Sequence, residues 1–178
     1  MFKNNLFNIN FNLQEILDNI YKWVDLSKLK VESDHDLAKS QKIDFIGKVT
    51  VNDRYGYNII ILNESEIVKI STSYIFNQQL NSQISNHKNN GFEFLSNMQL
   101  SLLQMNLHYV FIHKNHNPVS LDKRALINID DLESIEISKN LYFDGFNQNL
   151  FFEAVTNIIH AIEVIDILYQ KIDLKNLT

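Results

Sequence analysis

SIEISKNLYFDGFNQNLFFEAVTNIIHAIEVIDILYQ, residues 134–170, reads as a strand, a tight turn and a long helix in one run. Ile135, Ile137, Leu141 and Phe143 share one parity, and Glu136, Ser138, Asn140 and Tyr142 share the other. That alternation predicts a strand with one face on a core and one face in water. Lys139 interrupts the apolar parity, so a bulge or a strand end is expected there. Asp144-Gly145 supplies the turn, since glycine accepts the positive φ that tight turns need. Asn147 or Asn149 is placed to cap the helix that follows.

The helix has a narrow polar stripe, formed by Glu153, Thr156, Asn157, His160 and Glu163. Apolar residues occupy nearly everything else. A helix lying on one sheet needs only about a third of its circumference to be apolar, and this one has more. The excess is covered by other elements of the chain or by a second subunit. The second alternative predicts a twofold homodimer with Ala154, Ile158, Ala161, Ile162, Ile165 and Tyr169 at its interface. Asp166 falls outside the polar stripe. It is either a specificity contact at such an interface or a carboxylate near the helix end that reaches water, and Gln170 and Lys171 after it favour the latter.

Upstream, Leu13, Ile16, Leu17, Ile20, Trp23 and Val24 recur at helical spacing and predict a helix over 12–26. Asn12 with Glu15 nearly matches a capping box, and residues 1–11 are expected as an N-terminal arm. Residues 27–41 are polar apart from a short strand at 29–31. Three strands follow, around Ile43–Val51, Tyr55–Leu62 and Ile67–Phe76, joined by short loops as in an antiparallel meander. Residues 77–90 are a polar insertion, a loop or a poor helix. A better helix spans Phe92–Leu107 and a fourth strand His108–His113. A loop with the only proline, Pro118, then leads to a short edge segment at 125–129. The expectation is one α+β domain over 1–178. It has a single antiparallel sheet with helices packed on it, in the order α-β-β-β-α-β-β-α.

Tyr142, Phe143, Asp144 and Gly145, followed by Phe151, Phe152, Glu153, Ala154 and Val155, carry a resemblance. The run is similar to the C-terminal part of a small archaeal family of unknown function, whose members share this strand, turn and helix. The resemblance implies a fold similar to the type III secretion chaperones. It brings no catalytic residue with it.

The net charge is −5, and arginine occurs only at positions 54 and 124. Nucleic-acid binding needs clustered Lys and Arg, and Lys22, Lys28 and Lys30 are too few. No apolar run approaches the roughly 20 residues of a membrane span, and the N-terminus has no secretory pattern, so the expectation is a cytoplasmic protein. Without cysteine there is no disulfide, thiolate nucleophile or thiolate metal site. The four glycines are isolated and build neither a P-loop nor a dinucleotide loop. His113 and His116 have an H-x-x-H spacing with His108 upstream, but His108 and His113 differ in strand parity, and solvated strand ends explain them better than a metal. Asp34-His35-Asp36 and Asp130-Asp131 with Glu133 read as acidic surface turns. No metal, cofactor or catalytic residue is assigned. The reading is a protein-interaction module, chaperone-like and homodimeric, binding a protein segment. The alternative is an enzyme with a pocket near His108 and His113.

Overall fold

The structure, a computed structural model, describes residues 4–53, 55–86, 90–119 and 127–175. Its elements are α1 (Asn4–Leu26), β1 (Val31–Ser33), α2 (His35–Gln41), β2 (Phe45–Thr50), β3 (Gly56–Leu62), β4 (Ile67–Ile75), α3 (Gln78–Asn86), α4 (Asn90–Gln104), β5 (His108–His113), β6 (Leu132–Tyr142) and α5 (Gln148–Lys175). Short 3-10 turns lie at Asn63–Ser65 and Ile129–Asp131. The six strands form one sheet in the order β1-β2-β3-β4-β6-β5. Hydrogen bonds at the two ends of the β4–β6 pair, Phe143 N–H to Glu66 O and Phe76 N–H to Glu133 O, are those of antiparallel neighbours. The protein is α+β, with its main elements in the expected order.

Three differences from the sequence reading have physical causes. The first helix starts at Asn4, so Asn12 is inside it and most of the expected arm is helical; Met1–Lys3 lie outside the described residues. Leu6, Ile9, Leu13, Ile16 and Ile20 keep one helical period throughout, which an early capping signal obscured. Residues 35–41 form α2, started by Asp34, whose carboxylate accepts from Leu37 N–H at 2.9 Å, and stopped by Lys42 in the left-handed region. The stretch expected as a loop or poor helix holds α3, capped by Asn77, whose side chain accepts from Gln79 and Leu80 N–H. Of the edge segment expected at 125–129, residues 125 and 126 lie outside the described residues, while 127 and 128 form no strand and Ile129 opens a 3-10 turn.

The chain divides into two compact units, one built from the residues up to Ser71 with Asn140–Thr156, the other from Thr72–Lys139 with Asn157 onward. In the first, Phe45, Gly47 and Val49 of β2 pair with Ile61, Ile59 and Tyr57 of β3. Except for Gly47, whose side chain is a hydrogen, these side chains are buried with Ile16, Ile20, Trp23 and Val24 of α1. The Trp23 ring lies 5.6 Å from Phe151 and 5.3 Å from Phe146. A Cβ at Gly47 would come within 2.6 Å of Val31 Cγ1 and 2.8 Å of the Phe45 ring, so only glycine fits there.

In the second unit, Phe76 and Phe111 stack with ring centroids 6.5 Å apart. Met98 and Leu102 of α4, Ile135 and Ile137 of β6, and Ile158 and Ile165 of α5 are buried in it. β5 pairs with β6 from His108↔Ser138 to His113↔Leu132, with a register shift between Ile112 and His113. Lys139 lies just past the last of these pairs and donates to Asn106 O at 2.9 Å, so the interrupted parity marks the end of β5's pairing, not a bulge. Along its far side β5 is bridged by Asn117–Val119. His113 N–H donates to Asn117 O, Val119 N–H to Phe111 O, and Ile112 opposes Pro118.

Candidate functional site

The six residues expected at a dimer interface, Ala154, Ile158, Ala161, Ile162, Ile165 and Tyr169, are all buried by the chain itself, none more than 6% exposed. The wide apolar side of α5 is core. Its N-terminal part faces Trp23 and Phe146. Its C-terminal part faces Tyr74, Phe76 and Phe94 through Tyr169, whose ring is 4.7 Å from Phe94. A helix with neighbours on several sides needs an apolar arc wider than one sheet would require.

The same part of α5 holds the most buried polar network of the second unit. Tyr169 Oη donates to Asn81 Oδ1 at 2.6 Å, and Asn81 Nδ2 donates to Ile129 O at 2.9 Å. Asn81 is fully buried, so both ends of its amide are satisfied where water is excluded. Tyr74 Oη donates to Asp166 Oδ1 at 2.7 Å. Asp166 is half-buried, so it takes this bond inside the chain while part of the residue still reaches water. Burial, and secondarily the charge Tyr74 would carry, push the Tyr169 hydroxyl far above its ordinary value. Tyr57 in the first unit is pushed up to about 12 by burial alone. Both phenols are therefore held protonated, the wrong state for a general base at neutral pH, and Tyr169 acts as a hydrogen-bond donor.

The histidines do not converge. His108 and His113 stand at opposite ends of β5, five residues apart, roughly 16 Å at strand rise. His113 Nδ1 lies 3.3 Å from Asp131 O. His116, in a turn at φ +63°, has Nδ1 2.6 Å from Glu133 Oε2. That oxygen is shielded from water and has no well-aligned hydrogen bond, and His116 Nδ1 is its polar neighbour; Asp130 Oδ1 is shielded as well. Among the described residues no three His, Cys, Asp or Glu side chains are grouped to hold a metal ion. Asp34 is spent on capping α2. The His116–Glu133 contact is local, joining the turn after β5 to the start of β6.

What remains is a surface. On α4, Phe94, Leu95, Met98 and Leu102 point inward and are buried. Phe92, Leu100 and Leu103 are 72%, 55% and 61% exposed. At 100° per residue these three, with Ser96 and Gln99, share one flank of the helix. The spacing of Phe92, Leu100 and Leu103 was the signal available in the sequence.

Helices packed on one antiparallel sheet define an α+β protein. Residues 16–168 match the family described as "Uncharacterized conserved protein (DUF2299)", and the chain belongs to that family. The crystal structure of an uncharacterized protein from Methanothermobacter thermautotrophicus is similar, with a TM-score of 0.65 over 89% of this chain and 96% of that one. At 15% identity that likeness is one of fold. No curated protein matches the chain. No helix among the described residues is long and apolar enough to cross a membrane.

Proposed function

We propose that this protein is a non-enzymatic interaction module that docks a protein surface on the outer flank of α4. The observation that carries the reading is the row of Phe92, Leu100 and Leu103, three large apolar side chains exposed together on one helix. Isolated exposed apolar residues are ordinary, whereas several on one flank of a helix favour an interaction site. The chaperone-like part of the proposal rests on the likeness of the C-terminal strand, turn and helix to a family with a secretion-chaperone-like fold, which is fold analogy. The cytoplasm is the compartment proposed, since the chain needs no disulfide.

A photo-crosslinking residue placed at Leu103 tests the docking surface in cells. One dominant protein adduct is expected from Leu103 and none from the same residue placed at Glu153, on the polar stripe of α5. If neither Leu100 nor Leu103 yields an adduct, α4 is not a docking surface.

A further inference from the structure

We propose that residues 114–119 are a strap that closes the outer edge of β5, and that His116 and Glu133 are the clasp that holds it shut. β5 needs such a cover. It is the last strand of the sheet, so its outer side has no neighbouring strand. Its sequence, HYVFIH, is aromatic and β-branched, with no acidic residue, lysine, arginine or proline. An edge strand of that kind is open to pairing with another chain. The strap covers it with backbone. His113 N–H donates to Asn117 O at 2.9 Å and Val119 N–H to Phe111 O at 2.8 Å, on either side of the Ile112–Pro118 bridge. Val110 and Ile112, at the alternate positions, turn their backbone groups to β6, where they oppose Glu136 and Ser134.

The two ends of the strap are fixed differently. Val119 is buried and anchors one end. Lys114, Asn115, His116 and Asn117 are exposed, so the other end has no apolar anchor. That end turns through His116 at φ +63°, a conformation glycine would take more easily. What histidine adds is reach: its Nδ1 lies 2.6 Å from Glu133 Oε2. Glu133 belongs to β6, and its carbonyl accepts from Phe76 N–H, so the far side of the contact sits on paired sheet. The oxygen it offers is shielded from water, unlike that of a freely solvated pair. The contact therefore ties the polar end of the strap, across the end of β5, to the strand beyond. Lys114 N–H donates to Asp131 O at 3.0 Å and fixes the residue where the strap begins. Release of the clasp thus frees the strap while β5 stays in place, and leaves the outward groups of Phe111 and His113 for a strand of another chain.

Amide hydrogen exchange, followed residue by residue in the whole chain, tests the strap. His116→Asn keeps a residue suited to the left-handed region and removes the imidazole. Glu133→Gln keeps the shape and removes the charge. In each variant the His113 and Val119 N–H groups are expected to exchange about fivefold faster than in the wild type, the scale of a partly exposed charge pair. Val110 and Ile112, bonded toward β6, are expected to keep wild-type rates. The double variant is expected to match the single ones, because both changes remove the same contact. Unchanged exchange at His113 and Val119 in His116→Asn overturns the clasp. Equal acceleration at all four amides overturns the strap, since the whole strand would then be opening.

Discussion

At the scale of single residues, the polar atoms that matter are those with nowhere else to go. Tyr169 and Asn81 satisfy each other in a water-free position. Tyr169→Phe removes the donor and strands the Asn81 oxygen, which is expected to cost about 1–3 kcal/mol in chemical denaturation. Ionisation threatens the same groups. Tyr57 titrates near 12 in the fold, and Tyr169 higher still, against an unfolded value of about 10. A raised folded-state value means the native chain holds a proton that the unfolded chain releases first. The contribution is therefore complete below about pH 10 and is lost as pH climbs through 12. The melting temperature should fall in that window, less steeply in Tyr57→Phe, as thermal scans at stepped alkaline pH would record. A melting temperature independent of pH there would mean both phenols are solvated.

At the scale of elements, α5 is where sequence periodicity and structure agree most closely. Its polar residues Glu153, Thr156, His160 and Glu163 are exposed, and Ile158 is fully buried. Ile158→Ala should cost roughly 2–5 kcal/mol and Glu153→Ala less than about 0.5 kcal/mol, in paired urea titrations; equal losses would refute the assigned helix phase. Asn147, which accepts from Asn149 and Leu150 N–H at 3.0 and 3.1 Å, caps the helix. Its replacement by alanine should cost about 1 kcal/mol. The strand alternation around Ile135 and Ile137, the Gly145 turn at φ +83° and the bounds of β5 were all readable from local pattern. Local pattern says which side of an element is apolar and not what covers it. Hence the width of α5's apolar arc was legible, whereas its coverage by α1, α4 and the aromatics of β4 was not. The Tyr74–Asp166 bond joins residues 92 apart in the chain, and no local spacing announces it. Short α2 was missed, and α3 was left open between loop and poor helix, because their starts depend on Asp34 and Asn77 side chains.

At the scale of the whole molecule, the site reading moves from the broadest apolar face in the sequence to a smaller one on α4, because the broader face is spent on folding. The sheet offers little route to assembly. β1 is three residues long, and part of β5's outer rim is taken by the chain's own Asn117–Val119, with Pro118 contributing no amide proton. Fibrillar growth needs a long, free strand on which the next chain can template. With one rim too short and the other partly occupied, runaway strand addition is disfavoured at both. A protein so built can leave apolar side chains on a helix in water without offering neighbouring chains an easy seed for amyloid.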